Sequence, residues 1–141
     1  MDARTNLIAK IKAQGLPSPD RPLPIMSLED FFTGNNDFGS IGCNLADHPG
    51  PQSFFRTLKE IRDRPTVQDV LVEINEVMEE DPQTWPFSDR VYILTSASRE
   101  DVKDWVAKLE PDEVELGWNN DLPANAPVLQ KGMKAYAVWW D

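Results

Sequence analysis

The chain has 141 residues, 40% of them hydrophobic, with 14 Lys and Arg against 24 Asp and Glu, a net charge of −10 and one cysteine. A chain of this size buries roughly two-thirds of its unfolded surface and holds a core without staples, and five Trp, six Phe and two Tyr exclude disorder in spite of the acidity. One cysteine excludes an internal disulfide and a cysteine-based zinc site, and the negative field repels nucleic acid and anionic membrane while attracting a basic protein partner.

Met1-Asp2-Ala3-Arg4 begins charged, and Lys10 and Lys12 interrupt the apolar residues that follow. This predicts neither a signal peptide nor a membrane span, and a cytoplasmic protein. Residues 5–14 place Leu7, Ile8 and Ile11 on one helical face, with Thr5 or Asn6 as cap and Gly15 as stop. Pro17, Pro19, Pro22 and Pro24 then remove too many backbone donors for a helix or an inner strand, so the segment reads as an extended connector. Residues 1–24 are thus a helix and connector ahead of one α+β domain at 25–141, and three large aliphatics on one face favour the helix packing back.

The domain opens with Ile25 and Met26, after which Ser27 and Asp30 make a capping arrangement for a helical turn through Phe32, ended by Gly34. The Asn-, Asp- and Gly-rich stretch at 35–45 predicts a turn leading into a short strand near 40–45. Gly50-Pro51 starts a helix, with Phe54, Phe55, Leu58 and Ile61 as its apolar stripe up to Pro65. Residues 67–78 fit a helical face and also fit strand alternation; the density of β-branched residues selects a strand. Its neighbour is the run Arg90–Thr95, apolar on both faces and so central, reached through a structured connection holding Trp85.

Ser98 and Asp101 cap a helix with Val102, Trp105, Val106 and Leu109 on one face. Pro111 stops it, residues 114–118 form a short edge strand, residues 119–132 are loop, and residues 134–140 form a last strand. The order of elements predicts a ferredoxin-like or related mixed or antiparallel sheet with helices on one face, plus the N-terminal helix and an extra C-terminal strand.

Residues 1–64 carry eight cationic and eight anionic side chains, whereas residues 65–141 carry six and sixteen. The excess gathers in Asp69, Glu73, Glu76, Glu79, Glu80 and Asp81, and again in Glu110, Asp112, Glu113, Glu115 and Asp121, with no Lys or Arg inside either run. Trp85 follows the first run and Trp118 the second. Each indole is either an anchor for a partner or a loop side chain tucked onto the core. The candidate binding residues are therefore Glu79, Glu80, Asp81 and Trp85, with Asp112, Glu113, Glu115 and Trp118, the acids steering a basic partner and the indoles supplying buried area.

Catalytic chemistry finds little support. Cys43 and His48 are the only members of their types, and the plain reading is a small buried thiol and a surface imidazole. No Gly-x-Ser-x-Gly or phosphate-loop pattern is present, and Asp112-Glu113-Glu115 lacks calcium-loop spacing, so no catalytic residue, metal or cofactor is expected. Arg56, Lys59, Arg62 and Arg64 alternate with Glu60 and Asp63, which balances charge better than it binds nucleic acid.

The stretch from Ser27-Leu-Glu-Asp-Phe-Phe through Gly39-Ser-Ile-Gly-Cys-Asn-Leu45, with Trp85-Pro-Phe-Ser-Asp89 and the terminal Val138-Trp-Trp-Asp141, resembles a group of small, uncharacterised bacterial proteins over residues 25–141. In size and acidity these are similar to immunity proteins of bacterial toxin systems. The resemblance implies a binding protein that covers a basic toxin surface and brings no catalytic residue. The alternatives are a regulatory or assembly module that forms homo-oligomers, and a Cys/His enzyme.

Overall fold

Runs rich in β-branched and aromatic residues at Val67–Glu73 (β2), Arg90–Thr95 (β3) and Lys134–Trp139 (β5) form the inner strands of one antiparallel sheet. Ile25–Ser27 (β1) and Glu113–Leu116 (β4) are its edges, giving the order β1-β2-β3-β5-β4 in the computed structural model, which describes residues 2–118 and 122–141. Asp121 and the first part of the 119–132 loop lie outside the described residues. The central position expected for β3 is observed: Tyr92 pairs with Leu71 on one side and Ala137 on the other.

The fold is the α+β class expected, with an antiparallel sheet carrying its helices on one face. β2 lies directly beside β1 with no strand between them, so it is the related form rather than a split β-α-β unit. The last strand is inserted between β3 and β4 rather than added outside, which makes the C-terminal residues part of the sheet interior.

Strand alternation sorts the side chains into two layers. Val70, Val72, Val91, Ile93, Val114, Tyr136 and Val138 face the helices. There they meet α1 (Ala3–Gln14), α2 (Leu28–Phe32), α3 (Pro51–Arg62) and α4 (Arg99–Val106), whose contributions include Leu7, Phe31, Phe54, Leu58, Val102 and Val106. Leu71, Tyr92, Leu94, Ala135 and Ala137 face the other way, where Trp118 and Leu129 pack on them.

The short helices begin where their side chains supply caps. Ser27 accepts from the Asp30 amide and Ser98 from the Asp101 amide, satisfying donors that a helix N-terminus leaves free. In α1 the cap is Asp2, which accepts from the Thr5 amide; Thr5 and Asn6, the expected caps, lie inside the helix. Leu7 and Ile11 are fully buried, so α1 is docked rather than free.

The short strand expected near 40–45 does not form. Ile41 makes a lone bridge to Ser88, and Gly42 turns the chain at φ 62°, with the Leu45 amide donating to the Gly42 carbonyl. A Cβ at Gly42 would stand 2.7 Å from the Phe54 ring, so only glycine fits there. The edge strand is Ile25–Ser27 instead. Its outer side is closed by the Gln14 amide, which donates to the Ile25 carbonyl at 2.8 Å and accepts from the Ile25 amide at 2.9 Å.

Candidate functional site

The first acidic run belongs to the β2–β3 connection and is held from beneath by α1. Arg4 donates to the backbone carbonyls of Met78, Asp81 and Thr84, each at 2.8 Å. Lys12 pairs with Glu79 at 2.5 Å. Asp81 accepts from the Thr84 hydroxyl and the Gln83 amide, and these bonds hold its carboxyl below the usual aspartate range. Glu79 and Asp81 are therefore engaged inside the molecule, and Glu80 is exposed beside them.

Trp85, at the end of this connection, is 8% exposed, and its indole N–H donates to the Phe31 carbonyl at 2.9 Å. Its backbone amide donates to Asp37. It is a core residue of the helix-bearing face, and the anchor role expected of it is replaced by packing.

The second run follows α4, which ends through a 3-10 turn at Ala107–Leu109 and a left-handed Glu110 with φ 53°. Glu113 pairs with Arg99 at 3.1 Å, and Arg99 also donates to the Val114 carbonyl at 2.6 Å. Asp112 accepts from Asn44 and from the Asp141 amide. Glu115 is exposed on the outermost strand. Trp118 is half-buried, its ring 4.8 Å from that of Tyr92 on the sheet face away from the helices.

The two indoles thus occupy opposite faces of the sheet, and β4 stands three strand spacings from β2, about 14 Å. The structure does not bring the two runs together. Glu113, Glu115 and Leu116, the last 65% exposed, share the β4 edge, and Trp118 follows them; Leu122, 58% exposed, and Val128, 89% exposed, belong to a segment that reaches the other end of the sheet, where the Ala124 amide donates to the Leu23 carbonyl and Gln68 of β2 donates to the Val128 carbonyl at 3.0 Å. Nothing in a loop of Asn, Pro and Ala marks Leu122 or Val128 as outward-facing, because their neighbour Leu129 packs inward.

Beneath this layer lies a buried polar group. Glu73 is 3% exposed; its Oε2 accepts from the Tyr92 hydroxyl at 2.9 Å, while Oε1 is 3.8 Å from Arg90. Burial raises the Glu73 carboxyl above its ordinary range in spite of both partners. Asp89 is raised too, first by burial, against the pull of Arg90 and with the push of Asp141. Glu73 Oε1, Asp89 Oδ1 and Arg90 Nε are buried without a hydrogen-bond partner among the described residues. The Arg90 guanidinium lies over the Trp139 ring at 5.8 Å.

The thiol and imidazole do not make a nucleophile and base. Both His48 nitrogens are occupied: one accepts from the Gly50 amide at 2.8 Å and the other lies 2.6 Å from the Ile41 carbonyl. Since a carbonyl can only accept, His48 carries its proton on Nε2 and has no free nitrogen. The ring is packed between Phe38 and Phe54, each 5.2 Å away, so His48 organises the start of α3. Cys43, expected buried, is exposed. Among the described residues no group of three or more His, Cys, Asp or Glu could hold a metal, and no helix is long and apolar enough to cross a membrane.

Comparison with known proteins gives one kindred group. No solved structure matches the chain. It is 43% identical over 125 residues to the protein titled "Uncharacterized protein YfbO" of Escherichia coli (strain K12), covering 88% of this chain and 87% of that one. The model of the Uncharacterized protein YfbO family matches residues 2–138, essentially the whole fold described above. The chain therefore belongs to the YfbO family.

Proposed function

We propose that this chain is a protein-binding domain whose C-terminal half, from β4 through the segment around Val128, covers a basic surface of a partner protein. One observation carries the reading. Among the described residues, three of the five exposed large apolar side chains, Leu116, Leu122 and Val128, fall in a stretch that has no Lys or Arg between Lys108 and Lys131. Apolar area supplies affinity and unopposed carboxylates supply steering, the two things a surface for a basic partner needs. Exposed cations lie on the helical side, among them Arg56 and Lys59 on α3 and Lys108 just after α4, and at the borders of this surface, where Lys103 lines the groove beside β4 and Lys131 follows Val128. Immunity-type inhibition, in which the covered surface belongs to a toxin, is the most concrete form of this function.

A photo-crosslinking residue placed at Val128 in the native host tests it. The expected result is a discrete adduct with a protein of basic isoelectric point, lost when Glu113→Lys and Glu115→Lys are combined and retained when Arg56→Glu is made. An adduct indifferent to charge at 113 and 115, or crosslinking only from positions on α3, would overturn the reading. For the immunity form, the captured partner should arrest growth when expressed alone. Co-expression of this chain should relieve the arrest, and the charge-reversed variant should not.

A further inference from the structure

β4 is an outer strand, and its register fixes which backbone groups face outward. The Gly117 amide donates to the Ala135 carbonyl at 2.7 Å, so Gly117, Glu115 and Glu113 exchange bonds with β5 in the alternation of an antiparallel ladder. Val114 and Leu116 then turn their N–H and C=O groups to the rim. Arg99 agrees with this direction, since it reaches the Val114 carbonyl from outside the sheet. No strand covers the rim groups of Leu116 among the described residues. Alongside runs a groove of about 350 Å³ between α4 and β4, bounded by Val106, Pro111 and Val114, by the acids Glu110, Asp112 and Glu113, and by the cation Lys103. This is the reverse of the β1 edge, where Gln14 occupies the donor and the acceptor of the outermost residue.

We infer that the β4 rim receives an extended basic segment of the partner as a sixth strand. The segment's backbone pairs with Val114 and Leu116, one row of its side chains is cationic and meets Glu113 and Glu115, and the alternate row is apolar and lies along Leu116 and the groove. The inference rests on the protein-binding reading above and adds its mode. Charge selects the occupant: antiparallel pairing of β4 with a second copy would set the glutamates of two chains against each other, which a cross-strand pair does not favour. Arg99 holds the Val114 carbonyl until the segment replaces it, and as a cation it opposes the incoming charge. Its removal should therefore tighten binding.

The probe is an eight-residue peptide of alternating Lys and Val, set against one of alternating Lys and Pro with the same charge. Titration into the full-length, isotope-labelled protein should show the Lys-Val peptide binding about tenfold tighter, the worth of one or two net hydrogen bonds. The Leu116 amide should exchange with solvent about tenfold more slowly when the peptide is bound, while the Glu115 and Gly117 amides stay as they were. Leu116→Pro removes a rim donor without touching the β5 ladder and should abolish the preference; its fold is checked by an unchanged amide spectrum away from β4. Peptides N-methylated at every Lys or at every Val leave the protein intact, and one of the two patterns must lose the gain. Equal binding of the Lys-Val and Lys-Pro peptides with no slowing at Leu116 overturns strand addition, as does sedimentation as a dimer that protects the same amide. Either result leaves the basic-partner reading to the crosslinking at Val128. Absence of both crosslinking and peptide binding removes both.

Discussion

The connection at 76–84 and the segment at 110–118 read alike in the sequence, each a run of carboxylates leading to a tryptophan, and they differ in what they dock against and in the sheet face their indoles occupy. The first is tied down by Arg4 and Lys12 of a helix more than 60 residues earlier in the chain, and its Trp85 is core. The second stands on an open sheet edge, with Arg99 as its near cation and a half-buried Trp118 on the helix-free face. Charge that is unopposed along the chain is therefore opposed in space wherever a distant element docks against it. Exposed acids remain in both places, Glu80 in the first and Glu115 in the second, and at β4 they stand beside the cations Arg99 and Lys103.

Truncating the two indoles is the strongest way to break this contrast. Trp85→Ala removes a fully packed side chain and its bond to Phe31, and should cost about 3–5 kcal/mol in urea unfolding. Trp118→Ala should cost about 1 kcal/mol, mainly its ring contact with Tyr92. Equal costs would erase the distinction. Next in size, Arg4→Ala leaves three carbonyls of the 78–84 turn without their donor and should lose about 2 kcal/mol, with new protease cleavage inside the turn. An unchanged cleavage pattern would show that the first run does not depend on α1.

Acidity sharpens the comparison from beneath the sheet. Burial raises Glu73 above its ordinary value of 4.5, so between that value and the raised one the folded state binds more protons at this carboxyl than the unfolded state does. The contribution of Glu73 is therefore favourable at low pH and is lost as pH rises from 4.5 through the raised value. Glu29 has the opposite sign: Arg62 holds it down to about 2, so its contribution is present above 4.5 and lost as pH falls toward that value. With its side chain half exposed, Glu29 should be worth less than about 1 kcal/mol. Glu73→Gln should flatten the decline in melting temperature on the alkaline side of 4.5, and Arg62→Ala should weaken the loss on the acid side. A decline unaltered in Glu73→Gln would place its source elsewhere, with Asp89 next in line. The smallest effect belongs to Arg99→Ala, whose exposed pair with Glu113 should cost about 0–1 kcal/mol in thermal melts. A large loss there would mean that β4 needs its cap and is not an open edge.

Residue patterns read in order located most of the elements because their signals are local. Ser27 and Ser98 cap the next turn, Pro51 presets the first turn of α3, and β-branched density separated β2 from a helix of equal periodicity. The strand expected near 40–45 failed because Gly42 and its neighbours satisfy their backbone within a turn, while β1, only three residues long, pairs with a partner more than 40 positions away and leaves no periodicity to read. For the candidate surface, the positions of Glu113, Glu115 and Trp118 were readable. The outward turn of Leu122 and Val128 was not, since a loop aliphatic carries no mark of which side it faces.

By itself the sequence determined an acidic composition, the class of the fold, most of the caps and stops of its helices, and the apolar stripes that form the core. These depend on neighbours within a turn or on side-chain alternation, which any stretch of chain carries with it. Tertiary structure decided the order of the strands, the insertion of the last one beside β3, the docking of Arg4 onto the first acidic run and the opposite placement of Trp85 and Trp118. Each of those joins groups tens of residues apart. Coulomb attraction, hydrogen bonding and packing act on distance in space, and the spacing of charges along a chain does not encode it.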